Sequence, residues 1–399
     1  MAYVSKASDS LGGTAGGAGL VQQAYDRLLE FALRSEPLIR SVADKTPARQ
    51  SIPGSTVVLQ KYVDLAQKTS SLDETTDPDA IAMSTPTTVS ITLNEYGNSV
   101  LVTRALELFS LADVDPAIAN IIAYNLADSI DAVAMETLRG GTNKIFAGAT
   151  ATSTVTVAAA ATIDSADIRR AIAKLRSAKA VARKGSLYWA GIHPEVSHDL
   201  RAESSSGQGW LLPNQYGSSQ DRIWAGEIGN YEGAFYIESP RLYSAKDGAN
   251  QATLATTAVT VAGTSAGFTF GVASSAVIAT RAEVGDLING TGIATDAVIS
   301  AIATSGSTTT FTVATANTAA VTATTVVTVT PKTRVFRTII CGQQAMAQAV
   351  AEEPHVVIGP VVDRLMRHRP MGWYGVLGFA RYREEALYRI ESGSSIAAL

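Results

Sequence analysis

Apolar and polar positions along the chain divide it into segments of distinct period. Val21, Ala24, Tyr25, Leu28, Leu29 and Ala32 follow a helical spacing that stops before Pro37. Ser55–Val63 is rich in β-formers, and on the return Val89, Ile91 and Leu93 alternate with Ser90, Thr92 and Asn94. That period of two predicts a long hairpin over 55–103 with a polar tip at about Asp64 to Pro86. The strongest helical stripe is Ile118, Ile121, Ile122, Leu126, Ile130, Val133 and Leu138, with Asp128, Asp131 and Glu136 off it. It predicts a helix from Pro116 to Arg139, capped by Asp115 and stopped by Gly140 and Gly141.

A second helix is expected over Ser165–Ala180, with Asp164 as its cap and Ile163 and Ile168 at staple spacing. Leu187–Ile192 reads as a buried strand, His193-Pro194-Glu195 as the opening of a short helix to Ala202, and Ala234–Glu238 as another strand. This alternation predicts a mixed α and β domain. Thr338–Val350 reads as a helix or a strand–helix join, and Gly372–Phe379 and Ala386–Glu391 as closing strands. Between these parts, segments such as Thr256–Ala262, Phe268–Val272, Thr309–Ala314 and Thr324–Val329 are β-branched and punctuated by Gly, Ser or Asn. They predict a small all-β domain inserted into the host domain.

Composition sharpens this picture. The 399 residues carry Lys+Arg 32 and Asp+Glu 36, and only 17 % are charged, below the usual quarter. Much of the deficit is local, because Arg281, Glu283, Asp286 and Asp296 are the only charges in 251–330. The single Cys341 makes no internal disulfide. The first residues lack an apolar signal core, and no apolar run reaches the ~18 residues of a membrane helix. These features point to a soluble intracellular protein that does not partner a membrane. Net charge −4 gives no overall electrostatic footprint for nucleic acid. The hairpin tip is acidic through Asp64, Asp73, Glu74, Asp77 and Asp79 against Lys68, while Arg364, Arg367, His368, Arg369, Arg381 and Arg383 form a basic C-terminal cluster. The pairing suggested by these charges is between the tip of one copy and the cluster of another.

Catalytic candidates are few. His193 and His198 are five apart, off one helical face, and neither they nor His355 and His368 have a neighbouring ligand set, so no metal site is expected. Gly263-Thr264-Ser265-Ala266-Gly267 matches the nucleophile-elbow pattern, but more β pattern follows it where the chemistry needs a helix. The glycines between Gly12 and Gly19 follow no strand and lack the phosphate-loop lysine, so they read as a flexible arm. Cys341, beside Ile339 and Ile340, reads as a buried structural thiol. No catalytic residue, cofactor site or metal site is assigned, and the chain is not expected to be an enzyme.

Three segments carry a family resemblance. Ile192-His193-Pro194-Glu195 running to Asp199-Leu200-Arg201, Gly226-Glu227-Ile228-Gly229 followed by Gly233, Phe235 and Glu238, and Gly372-Trp373-Tyr374-Gly375 with Glu385–Glu391 resemble, in order, stretches of phage major capsid proteins of the N4-like family. The resemblance covers most of the chain outside 245–333. It implies an α+β protein with the Johnson fold of tailed-phage shells. The implied organisation is an N-terminal arm and first helix at 1–45, an extended hairpin loop at 46–104, and a spine helix with part of the peripheral domain at 105–160. An axial domain follows at 161–244, the all-β insertion at 245–333, and a return through axial to peripheral domain at 334–399. It further implies self-assembly as hexamers and pentamers into an icosahedral head around packaged double-stranded DNA held non-specifically. Partners would be a portal and scaffolding or decoration proteins, with assembly in the host bacterial cytoplasm. An encapsulin-like nanocompartment shell is the alternative expectation.

Overall fold

The computed structural model describes residues 37–47, 55–65, 67–69, 71–72, 74, 81–105, 114–148, 151–202, 227–254, 256–360, 365 and 367–396. The helix expected after Leu20 lies outside them, as do Asp73, Asp77, Asp79 and Arg364. Among the described residues there are two compact units. The smaller contains Glu95–Ala127 and Glu353–Gly375, and the larger Ser35–Asn94, Asp128–Glu352 and Val376–Leu399.

In the larger unit, β1 (Asp44–Pro47) precedes the hairpin of β2 (Thr56–Lys61) and β3 (Thr87–Thr92), paired antiparallel from Thr56↔Thr92 to Lys61↔Thr87. Next, β4 (Asn94–Thr103) enters the smaller unit, and α1 (Val114–Arg139) returns to the larger. The helix starts before the expected cap, so Asp115 lies inside it, and Pro116 falls in a first turn that needs no amide donor. There follow β5 (Lys144–Phe146), α2 (Ser165–Ser177), β6 (Tyr188–Ile192), α3 (Pro194–Ala202), β7 (Glu227–Tyr231), β8 (Ala234–Glu238) and β9 (Ser244–Ala245). The insertion supplies β10 (Thr257–Val261), β11 (Thr269–Ala273), β12 (Leu287–Gly290), β13 (Ala297–Ser305), β14 (Thr308–Val313) and β15 (Val326–Thr330). The chain closes through β16 (Val335–Cys341), β17 (Met346–Ile358), β18 (His368–Arg381) and β19 (Leu387–Ser392).

A mixed sheet of order β5-β19-β16-β6-β8-β7, with β9 also on β16, is the centre of the larger unit. Its core strands are buried on both faces, and every residue of β6 and β16 is buried. On one face α2 packs Ile168, Ala171, Ile172 and Leu175, and α3 packs Val196 and Leu200, against Tyr188, Ala190, Phe336, Ile340 and Ile390. On the other, Ala134, Met135 and Leu138 of α1 meet Trp189, Ile339, Cys341 and Leu387. Alternation along β16 sends Phe336 and Ile340 to the first layer and Ile339 and Cys341 to the second, so one strand serves two cores. Asp164 caps α2 as expected, accepting the Asp167 amide at 2.8 Å. The turn between β7 and β8 has Glu232 at φ 49° and Gly233 at φ 88°, the two left-handed residues of a type I′ hairpin.

Thr338–Val350 contains no helix. β16 and β17 occupy it because Ala347 and Ala349, which favour helix in isolation, pack against Ile91 of β3, and β17 pairs in parallel with β1 from Asp44↔Ala347 to Pro47↔Val350. The six insertion strands close into a barrel of order β10-β11-β14-β13-β12-β15 around Val259, Phe270, Ile288, Ile299, Phe311, Val327 and Val329. In the smaller unit, Val102, Ile122, Met371 and Trp373 form a separate core.

Candidate functional site

The residues that sequence reasoning screened for chemistry do not converge. His193 caps α3: the Glu195 amide donates to its Nδ1 at 3.3 Å, and its ring lies 4.8 Å from that of Phe336. Burial first, then the nearby Arg334 charge, pull its pKa below the usual imidazole value. His198 Nδ1 is 3.4 Å from Asp199, whereas His355 belongs to the smaller unit and contacts the Glu353 carbonyl at 3.0 Å. Among the described residues, no three His, Cys, Asp or Glu side chains gather as a metal-holding group. Ser265 is exposed in a turn that Gly267 N closes onto Thr264 O at 3.0 Å, and β11 follows it, so this serine sits between strands. Cys341 is a buried free thiol whose pKa burial pushes up to about 12, leaving it unreactive at neutral pH.

What does converge is charge in structural roles. Two of the resemblance segments meet at α3. Glu238 of β8 accepts from Ser197 Oγ at 3.2 Å and from Arg201 at 3.4 Å. Buried Asp199 accepts the Ser395 amide at 2.9 Å and its hydroxyl, tying the chain after β19 to the helix. Beneath α1, Asp131 is buried although its helical phase predicted a solvent position. It accepts the Arg40 amide at 2.9 Å and Arg241 Nε at 3.1 Å, while Arg241 also donates to the Asp128 carbonyl at 3.1 Å. On the same face of the sheet, Glu391 of β19 lies 2.9 Å from Arg389 and 3.3 Å from Arg337, and Arg337 reaches Asp247 at 2.6 Å. Sequence reasoning missed these networks because no local pattern links partners 110 positions apart.

A fourth network joins barrel to host. Fully buried Asp286 accepts Lys246 Nζ at 2.7 Å, the Lys332 amide at 3.1 Å and the Glu283 amide at 2.8 Å. Glu283 in turn binds Lys246 at 3.1 Å and Arg334 at 3.0 Å. Burial raises the Glu283 pKa, but the hydrogen bonds and charges of Lys246 and Arg334 outweigh it and hold the carboxyl below the usual range. Two of the four charges in 251–330 thus sit at the root of the insertion.

The basic C-terminal cluster is divided. Arg367 and Arg369 fall in the smaller unit, Arg381 and Arg383 in the larger. Arg381 is committed internally, donating to the Thr137 carbonyl in the last turn of α1 at 3.0 Å and to Glu384 at 2.9 Å. At the tip end of the paired hairpin strands, Lys61 pairs with Glu385 at 3.1 Å. Beyond that last pair, Tyr62, Val63, Leu65, Leu72, Ile81 and Met83 are all more than half exposed.

The family model described as phage capsid protein matches residues 39–394. No curated protein matches this sequence. Among solved structures, the chain is similar to the capsid of Ralstonia phage GP4, at 12 % identity and TM-score 0.60, covering 97 % of this chain and 99 % of that one. The Cyanophage Pam1 capsid asymmetric unit matches at 12 % identity and TM-score 0.57, over 99 % and 100 %. The acidic stable capsid of Helicobacter pylori bacteriophage KHP30 matches at 14 % identity and TM-score 0.55, over 95 % and 97 %. At such identities these likenesses establish the fold, which is that of tailed-phage shell proteins.

Proposed function

The chain belongs to the phage capsid protein family, is a major capsid protein of the phage head shell, and, we propose, builds that shell as hexamers and pentamers around packaged double-stranded DNA. Within the family we place it on the N4-like branch, on the strength of the three sequence segments. In this reading residues 46–104 are the extended loop, 105–160 the spine and part of the peripheral domain, 161–244 the axial domain, and 334–399 the return between the last two, with the barrel as an accessory module at 245–333. Portal and scaffolding or decoration proteins are the further partners, and assembly takes place in the host cytoplasm.

The observation that carries the assembly reading is the hairpin. Its apolar side chains Tyr62, Val63, Leu65, Leu72, Ile81 and Met83 are 54–68 % exposed, a density that a lone subunit has no use for. They supply the area that a neighbouring copy would bury. Many such overlaps, each weak, give a shell its cooperativity through multivalency. The acidic tip would dock on Arg367 and Arg369 of that neighbour.

Electron microscopy of the purified chain tests the reading, with closed shells as the expected particles. Replacing 62–86 by a short Gly/Ser linker should leave soluble, folded subunits that form no shells. Charge reversal of Arg367 and Arg369 should impair assembly without unfolding the subunit. Normal shells from both variants would remove the hairpin from the assembly mechanism.

A further inference from the structure

The solvent face of α2 carries a charge segregation that the overall balance hides. From Ile168 to Pro194 the sequence holds Arg169, Arg170, Lys174, Arg176, Lys179, Arg183 and Lys184 and no Asp or Glu. Seven cations in a chain of net charge −4 leave −11 for the remainder. Because α2 turns Ile168, Ala171, Ile172 and Leu175 into the core, its helical phase places residues 169, 170, 173, 174, 176 and 177 outward, and all six are exposed.

Some of these cations have internal work. Arg170 holds Asp167 at 2.7 Å, Arg183 lies 3.5 Å from Asp44, and Arg169 lies 3.9 Å from Glu232. Lys174, Arg176 and Lys179 are exposed and pair with no carboxylate among the described residues. Lys179 also lines an open groove of about 520 Å³ whose walls carry Lys61 and Arg383 beside Asp64 and Glu385. The residues between the cations on the helix are Ala173, Ser177 and Ala178, and beyond it Val181 is exposed. A single valine is short of the aromatic and large apolar anchors on which a folded protein partner would depend. Long basic side chains on a polar, convex helix suit a regular array of phosphates.

We propose that this face, centred on Lys174, Arg176 and Lys179, is where the subunit meets the phosphate backbone of duplex DNA, and that it therefore turns to the interior of the shell. The inference rests on the reading that the shell encloses duplex DNA. Contact is independent of base sequence, since no side chain here is arranged to read base edges.

The test is fluorescence anisotropy of a labelled duplex of about 20 bp, titrated at several salt concentrations with the purified full chain held as unassembled subunits, because a closed shell would hide an inward face from added DNA. The wild type is compared with K174Q/R176Q/K179Q, with electron microscopy and a circular-dichroism melt of each protein. The triple variant should keep its melt and its shells, bind at least about tenfold more weakly at low salt, and lose about two to three units of log–log salt slope. Wild-type affinity and slope in the variant overturn the proposal. So does a variant that loses its shells with DNA affinity unchanged, which assigns the face to a neighbouring copy. A wild-type chain that builds shells but binds no duplex overturns the DNA face and leaves the capsid reading standing; a wild-type chain that binds duplex through these residues but builds no shells counts against the capsid reading alone.

Discussion

The barrel and the sheet domain that carries it solve the same problem with different means. The barrel joins segments close in sequence: β11, β13 and β14 all lie between Thr269 and Val313, and their register runs Thr269↔Thr312 and Ser305↔Thr308. Its interior is hydrocarbon, with Phe270 directly opposite Phe311 and ring centres 6.1 Å apart. The sheet domain collects segments from across the chain, and three of its distant joints centre on a buried carboxylate: Asp131 paired with Arg241, Glu391 paired with Arg337, and Asp199 accepting hydrogen bonds from Ser395. Apolar contacts alone tolerate slippage; a buried carboxylate accepts few partners. The contrast suggests that local order needs only a matched apolar pattern, whereas long-range order in this chain is keyed by charge.

The comparison breaks if the two regions fail together. Phe311→Ala should cost about 4 kcal/mol and open the barrel alone. Hydrogen exchange should then speed up in 257–330 while β6 and β16 stay protected; loss of protection in both would make them one cooperative unit. Asp131→Ala leaves the largely buried Arg241 with Asp128 alone and removes the acceptor of the Arg40 amide, and should cost the host about 3 kcal/mol in a denaturant melt, with the barrel amides unchanged. Asp286→Ala leaves Lys246 with Glu283 alone and the Lys332 and Glu283 amides without their acceptor at the junction, and about 2 kcal/mol is expected. Exchange should rise in the connecting segments 248–251 and 331–334 rather than inside either core.

The smallest effect has the opposite sign. Burial, and then the charge of Asp164, raise the Asp167 pKa to about 6 from 3.8. A carboxyl with a raised native pKa penalises the fold at neutral pH, and the penalty fades as pH falls from about 6 through 3.8. Asp167→Asn should therefore stabilise the host by about 1 kcal/mol at pH 7 and by nothing near pH 4, read from melts at both values.

The same division explains what was legible beforehand. Asp164 and the stripe Ile168, Ala171, Ile172, Leu175 announced α2, since cap and phase are local signals. The β-branched runs of the insertion announced an all-β module, because its strands follow one another. The burial of Asp131 was not legible, as the helix phase is set by its neighbours while Arg241 arrives from a distant loop. Met346–Val350 misled because alanine spacing resembles a helix until Ile91 and β1 are in place. The cations of 169–184 were visible in the sequence, but the net charge averaged them away.

The connection to the barrel has an evolutionary consequence. The outgoing and returning segments run side by side, with Gly248 N on Thr333 O at 3.1 Å, Thr333 N on Ala249 O at 2.9 Å and Gln251 N on Pro331 O at 2.8 Å. A module whose two ends meet at one point on its host can be lost, exchanged or acquired as a cassette without rethreading the rest of the chain. The same point is a ready graft site, where a foreign domain with adjacent termini could be displayed on every subunit of a particle.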